Sequence, residues 1–326
     1  MRDFLHVRNQ PCRLHTRHPH PQLSRPHYHE AHGLSSTQVK TFALRSPAHY
    51  QYFYLQPHEL RKETDALFLG TAVHCAVLEP ERFERDYQEE LDPESIPNLI
   101  KTVTDMKRYC EEHELSKTGL KQEFIDRILK HNPEAPVWDV LLERQRQKKS
   151  VRTLKRDTLD KVRRMRDSVH ANPEAHALFS EGQPEVSVWG QHEPTGALIK
   201  CRADWLRADG ICADLKTCAC ASPSQFAKDM ANYGYDLQEV HYTTTLTSAG
   251  KDCSAFCFVA VESEPPYLCQ VYELDDRSRR LACLRYEKAL FELDQCKASD
   301  QWPGYTDTLS TLSLPVWHLK QLEKLA

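Results

Sequence analysis

Residues 198–217 read Leu198-Ile-Lys-Cys-Arg-Ala-Asp204-Trp-Leu-Arg-Ala-Asp209-Gly210-Ile-Cys-Ala-Asp214-Leu-Lys216-Thr217. Asp209-Gly210 is a strong hairpin signal, because glycine accepts the positive φ that tight hairpin turns require. It predicts two antiparallel strands, 198–206 and 211–216. Alternate residues of a strand share a face. Ile211, Ala213 and Leu215 then point towards a core, and Cys212, Asp214 and Lys216 away from it. In the first strand Ile199, Cys201, Ala203 and Trp205 share one face, and Arg202 and Asp204 the other. The pairing brings Asp204 beside Asp214, with Lys216 one step along. Two adjacent carboxylates repel unless a cation joins them, and hard oxygen ligands suit Mg²⁺ or Mn²⁺. A neighbouring lysine can orient or deprotonate a water and stabilise charge on a phosphate. Metal-assisted phosphodiester hydrolysis needs these parts.

Around this hairpin the texture is α/β. Short strands are expected at 185–189, 255–261 and 268–274, with helical patterns between them and a last helix over about 276–296. Ser222-Pro223-Ser224-Gln225 is a capping-box start with proline at the first helical position, so a helix begins soon after Lys216. In the next helix Tyr235, Gln238 and Tyr242 stand at i, i+3 and i+7, on one face. Upstream, Ser35 and Ser36 can cap a helix carrying Val39, Phe42 and Ala43. A second helix spans about 66–78, contains Gly70-Thr-Ala-Val-His74 and is stopped by Pro80.

The chain has 326 residues, enough for one large domain or two ordinary ones, and 40% hydrophobic residues, enough for a core. Its longest apolar run, Ala255 to Val261, is too short to span a bilayer, and residues 1–6 lack the apolar stretch of a signal peptide. A cytoplasmic protein without membrane attachment is expected. Net charge is −4, which excludes a surface coated in positive charge but not a local basic groove. Residues 144–166 supply such a concentration, with eleven Lys or Arg against Asp157 and Asp160. Lys148, Lys149, Arg152 and Arg163 are candidate contacts to a phosphate backbone. The twelve cysteines contain no CxxC pair and fit no usual zinc or iron–sulfur spacing, so they read as small buried hydrophobes. Seven of the 17 histidines fall in the first 32 residues, among prolines and without hydrophobic period, and this reads as an irregular arm with structure beginning near Leu34.

Asp204, a hairpin and then Asp214-Leu215-Lys216 resemble the PD-(D/E)xK nuclease superfamily. The wider set is Gly70-Thr-Ala-Val-His74 with Val77-Leu-Glu-Pro80, Lys200-Cys-Arg-Ala-Asp204, Asp214-Leu-Lys216-Thr217, Asp300-Gln-Trp-Pro-Gly-Tyr305 and Leu312-Ser-Leu-Pro-Val-Trp317. In that order these resemble the RecE-type nuclease domains of exonuclease VIII. The resemblance implies a restriction-endonuclease-like α/β core, a mixed central sheet flanked by helices, over residues 28–320. It leaves 1–27 as the His-rich arm and 321–326 as a tail. Residues 102–131 resemble the helix–turn–helix of a SAP module, through Met106-Lys107, Leu115-Ser116, Gly119-Leu-Lys121, Phe124-Ile125 and Arg127-Ile128. Thr104 is the expected cap of its first helix, and the unit is expected as a small DNA-binding insertion.

By resemblance, His74, Asp204, Asp214 and the Leu215 carbonyl bind Mg²⁺ or Mn²⁺, and Glu185 is a further acidic member. Lys216 positions the water, while Gln238 and Tyr242 orient the lysine or touch DNA. The implied activity is a 5′→3′ exodeoxyribonuclease on linear duplex ends. It leaves 3′ tails for a RecT-type annealing protein and works as a homo-oligomer, with a ring tetramer as the implied form. The alternatives are a non-catalytic recombination scaffold and a nuclease for single-stranded or branched DNA.

Overall fold

A computed structural model describes residues 25–57, 64–147, 151–306 and 308–324. The chain enters through α1 (Arg25–Glu30), α2 (Ser36–Leu44) and α3 (Pro47–Tyr54). Ser35 caps α2 in a capping box with Gln38, as its sequence requires. Order therefore begins before Leu34, and α1 runs across the expected arm boundary at residue 27. A lysine far along the chain holds this segment in place. Lys200 is only 3% exposed, and its ammonium donates to the carbonyls of Tyr28 (2.8 Å), His29 (3.3 Å) and Ala31 at the end of α1. A cation on the last carbonyls of a helix satisfies both partners. Leu34 then pairs with Ile199 as an isolated parallel bridge.

Helix α4 (Asp65–Leu78) is followed directly by α5 (Pro80–Asp86), and then by β1 (Tyr87–Glu89). Next come α6 (Val103–Glu112), α7 (Lys121–His131) and α8 (Trp138–Gln147), before β2 (Arg152–Leu154) returns to pair in parallel with β1. The two expected helices are present, but Thr102, not Thr104, caps the first, because Asp105 returns the capping-box bond to it. Met106, Cys110, Phe124, Ile125 and Ile128 form a separate small core together with Ile100, Ala135 and Val137. Val140 of α8 also packs on it, so the unit is wider than 102–131. The 144–166 basic stretch is divided among α8, β2 and α9 (Arg156–Ala171), which is followed by α10 (Pro173–Ser180).

The main sheet comprises β3 (Gln183–Gln191), β4 (Leu198–Leu206) and β5 (Ile211–Cys218). After α11 (Pro223–Tyr233) and α12 (Tyr235–Ser248) it gains β6 (Ala255–Glu262) and β7 (Cys269–Tyr272). The order is β3-β4-β5-β6-β7, antiparallel except for β5 and β6, which are parallel and joined by the α11–α12 crossover. The long α13 (Asp276–Ser299) and short α14 (Val316–Leu322) complete the chain. The sheet is mixed and covered on both faces, the expected architecture. One face packs Ala213, Leu215, Val259 and Val261 on α4, α5, α9 and α10. The other packs Cys201, Ala203, Cys212, Phe256 and Phe258 on Phe226, Met230, Tyr242 and Leu246 of the crossover helices. Cys212 thus faces a second apolar layer, not solvent.

Helix α12 is buried on nearly all sides, including Gln238, Glu239 and His241. Such a helix must satisfy its polar groups internally. Glu239 accepts from Arg279 of α13 at 2.6 Å. His241 Nε2 lies 2.9 Å from the Lys200 carbonyl and Nδ1 lies 3.0 Å from the Tyr286 hydroxyl. A carbonyl only accepts, so Nε2 carries the proton and Tyr286 donates to Nδ1. Burial pushes the His241 imidazole down to about 4 from the usual 6.5. The unfolded chain therefore binds more protons between those values, and stability falls as pH drops from 6.5 to 4. Up to roughly 3 kcal/mol is lost over that window by the linkage relation. Thermal denaturation midpoints at pH 7 and pH 4.5 check it, with His241→Gln expected to flatten the difference.

Among the described residues no helix is long and apolar enough to cross a membrane, and the cysteines are free thiols, including Cys75, Cys110, Cys201 and Cys212 in the core. Leu312, Leu314 and Trp317 are exposed, so the end of the tail motif does not pack on the body, whereas Trp302 stacks on Tyr50.

Candidate active site

The hairpin forms with Gly210 at φ 85°, the conformation its turn demands. Trp205 pairs with Ala213 and Leu206 with Cys212, a register that sets Asp204 opposite Asp214. The ladder stops there. In its place the Leu215 amide donates to Asp204 Oδ2 at 2.9 Å. On the other side of β4 the register with β3 skips only the Glu185–Asp204 pair, and Glu185 has φ 56°. A non-glycine residue in the left-handed region is uncommon, and such outliers gather at functional sites. Both ladders are therefore interrupted at Asp204. The expected alternation also fails there: Ala203 packs on the crossover helices and Trp205 on the opposite layer.

His74 arrives from α4, whose Gly70 comes close to β5: a Cβ there would stand 3.4 Å from Thr217 Oγ1. His74 Nδ1 lies 3.5 Å from Asp204 Oδ2. His74, Glu185 and Asp204 each offer one ligand atom within 4.8 Å of the others. Burial, reinforced by the charges of Asp214 and Glu185, holds the Asp204 carboxyl well above the usual carboxylate range, against the opposing pull of Lys216. Two carboxylates and an imidazole around a crowded acid suit a divalent cation of the Mg²⁺ or Mn²⁺ type. The donor set fits such an ion, which would relieve that repulsion.

Asp214 is not part of this trio. Its side chain is 2% exposed and pairs with the Lys216 ammonium, while Gln238 Nε2 donates to Oδ1 at 2.6 Å. Gln238 thus meets Asp214, and Asp214 in turn meets the lysine. The ring beside Lys216 is Tyr235, whose centroid lies 4.7 Å from Nζ. Tyr242 is buried and lines a groove of about 650 Å³ together with Tyr28, Glu185, Lys200, Arg202 and Asp204. Arg202 bonds Glu185 and, at 3.2 Å, Ser187. The Leu215 amide is committed to Asp204, as above.

Of the basic candidates, the described residues include Arg152 and Arg163. Arg152 covers the Phe68 ring at 5.3 Å, Arg163 faces Asp160 at 3.9 Å, and neither lines this groove. Lys148 and Lys149 lie outside the described residues. Sequence reasoning missed Lys40, on α2, whose ammonium stands 5.6 Å from the Tyr235 centroid. The lysine is separated in sequence from every motif, and nothing local signals it.

The family model for the PDDEXK-like domain of unknown function DUF3799 matches residues 35–314. Among solved structures the chain is similar to a candidate exonuclease from Eubacterium rectale, at 14% identity and a TM-score of 0.54, covering 91% of this chain and 98% of that one. It also matches the structure of the protein SSO0001 at 15% identity, over 70% of this chain and 86% of that one, but with a TM-score of 0.26. No curated protein matches.

Proposed function

Since the chain belongs to the DUF3799 family of PDDEXK-like domains, we propose that it is a metal-dependent exodeoxyribonuclease acting on the ends of linear duplex DNA. The observation that carries the reading is the pair of interrupted ladders at Asp204. They free one carboxylate set for a cation and leave Asp214, Lys216 and Gln238 as a second, hydrogen-bonded set beside it.

His74, Glu185 and Asp204 would hold the ion, with Asp214 and the Leu215 carbonyl as further candidate ligands. A bound Mg²⁺ or Mn²⁺ would supply Lewis-acid stabilisation of charge on the scissile phosphate. Lys216 donates to the attacking water or to a phosphate oxygen, and Asp214 fixes the direction of that donation. Water adds to phosphorus and releases a proton to solvent as the bond to the leaving sugar oxygen breaks, and that oxygen takes a proton from solvent. Gln238 holds Asp214 in place. The groove beside Tyr28 and Tyr242 receives the strand, and the α6–α7 unit adds a SAP-like DNA contact.

The ordered resemblance to RecE-type domains supports 5′→3′ polarity, Mg²⁺ as the working ion, and 3′ tails passed to a RecT-type annealing protein. It also supports a cytoplasmic homo-oligomer, a ring tetramer in this reading. The test is digestion of a linear duplex labelled at the 5′ or the 3′ end, in Mg²⁺, Mn²⁺ or EDTA. Early metal-dependent release of the 5′ label is expected. Retained DNA binding with no release in either metal would replace the enzyme by a recombination scaffold. Release only from single strands or branched ends would change the substrate.

A further inference from the structure

The catalytic reading above does not use Lys40. It lies within α2, with Val39 and Phe42 buried on either side of it in the sequence, and its stem runs against Gly234. A Cβ at Gly234 would come within 3.1 Å of Lys40 Cδ and 2.9 Å of Leu44 Cδ1. Gly234, at φ 63° between α11 and α12, leaves the room through which the lysine reaches the ring of Tyr235. That ring faces two ammonium groups, Lys216 at 4.7 Å and Lys40 at 5.6 Å from its centroid.

The charges facing Lys40 are Lys216, Asp214 and Asp236. Asp214 is committed to Lys216 and Gln238, and Asp236 is turned towards Arg285 at 4.0 Å. The Lys40 ammonium has no hydrogen bond or ion pair among the described residues. Contact with an aromatic face gives back less than a largely desolvated charge requires. Burial and the neighbouring Lys216 accordingly push the Lys40 ammonium down to about 8. Two cations thus share one ring, and the two carboxylates facing Lys40, Asp214 and Asp236, are each engaged with another cation, which leaves the Lys40 ammonium open to an anion from outside the chain.

We propose that Lys40 and Lys216, gathered on the Tyr235 ring, form an anion subsite that binds a phosphate group of the DNA strand. The inference rests on the nuclease reading and deepens it. Lys40 contacts a non-bridging phosphate oxygen beside Lys216. Lys40 transfers no proton in this role.

The experiment compares wild type, Lys40→Met and Lys40→Arg on a linear duplex in Mg²⁺. It also measures binding to a cleavage-resistant phosphorothioate duplex in EDTA across a salt series. The charged contact predicts a loss of roughly 10- to 150-fold in kcat/KM for Lys40→Met, with most of it restored in Lys40→Arg. The log–log salt slope of binding becomes shallower by about one phosphate contact. A structural role would leave that slope unchanged. If Lys40→Met does not fold by circular dichroism, Lys40→Gln carries the same comparison. An active wild type with equal kcat/KM and equal slope in the variant overturns the subsite alone. A wild type inactive in both Mg²⁺ and Mn²⁺ overturns the nuclease reading, and the subsite with it.

Discussion

Lys216→Ala and Asp214→Asn each lower the rate of duplex cleavage by on the order of 10³-fold or more, a loss in kcat that higher DNA concentration does not recover. The magnitude follows from removing a positioned donor aimed at developing charge, together with the group that orients it. Asp214 is 2% exposed, with one oxygen on Lys216 and the other on Gln238. Asparagine keeps the Gln238 bond but turns an amide donor towards the ammonium, so the lysine loses the carboxylate it is paired with. Lys216→Ala leaves the converse, a buried carboxylate without its cation. Breaking a buried pair from one side costs about 3–5 kcal/mol, so both variants also melt at lower temperature. Circular dichroism at 25 °C separates that cost from unfolding. A folded variant with wild-type kcat removes the residue from the reaction.

The second large effect has opposite signs for activity and stability. Asp204→Asn abolishes metal-dependent cleavage, yet in EDTA at pH 7 the variant melts above wild type. The Asp204 carboxyl is held well above the usual range by burial first and then by the charges of Asp214 and Glu185. A folded-state acid that retains its proton more tightly than the unfolded chain makes stability fall as pH rises above about 4 towards its raised value. At neutral pH the acid is thus a net burden, which asparagine removes while its oxygen still accepts from the Leu215 amide. Added Mn²⁺ reverses the order. Wild type gains about 2.7 kcal/mol at one hundred times its dissociation constant, and the variant gains little. Melting curves with and without Mn²⁺ read both signs, and a variant that keeps the wild-type Mn²⁺ shift would take Asp204 out of the ion site.

The hairpin was legible because its determinants are local. Asp209-Gly210 dictates the turn, and the turn dictates that Asp204 and Asp214 meet. The same holds for Ser35 as the cap of α2 and for the helix that carries His74. What sequence could not carry is what depends on the third dimension. Strand alternation placed Ala203 and Trp205 together, but the break at Asp204 separates them. Helical spacing put Tyr235, Gln238 and Tyr242 on one face without saying which would meet the lysine. Packing gives that place to Tyr235 and turns Gln238 to Asp214. Lys40 belongs to a helix whose pattern advertises only its apolar face, and its approach to Lys216 is a product of the fold.

The α6–α7 unit enters and leaves the body through neighbouring points. Ile100 and Val137 pair in parallel, the Ile100 amide bonds the Pro136 carbonyl at 2.9 Å, and the Trp138 amide bonds the Ile100 carbonyl at 3.0 Å. The unit also has its own apolar interior. A segment whose two ends meet can be lengthened, exchanged or lost without displacing its host, because the host sees only a short gap to be bridged. This doorway makes the unit an accessory in the historical sense: a lineage could acquire, retune or discard it while the cutting centre stayed as it was.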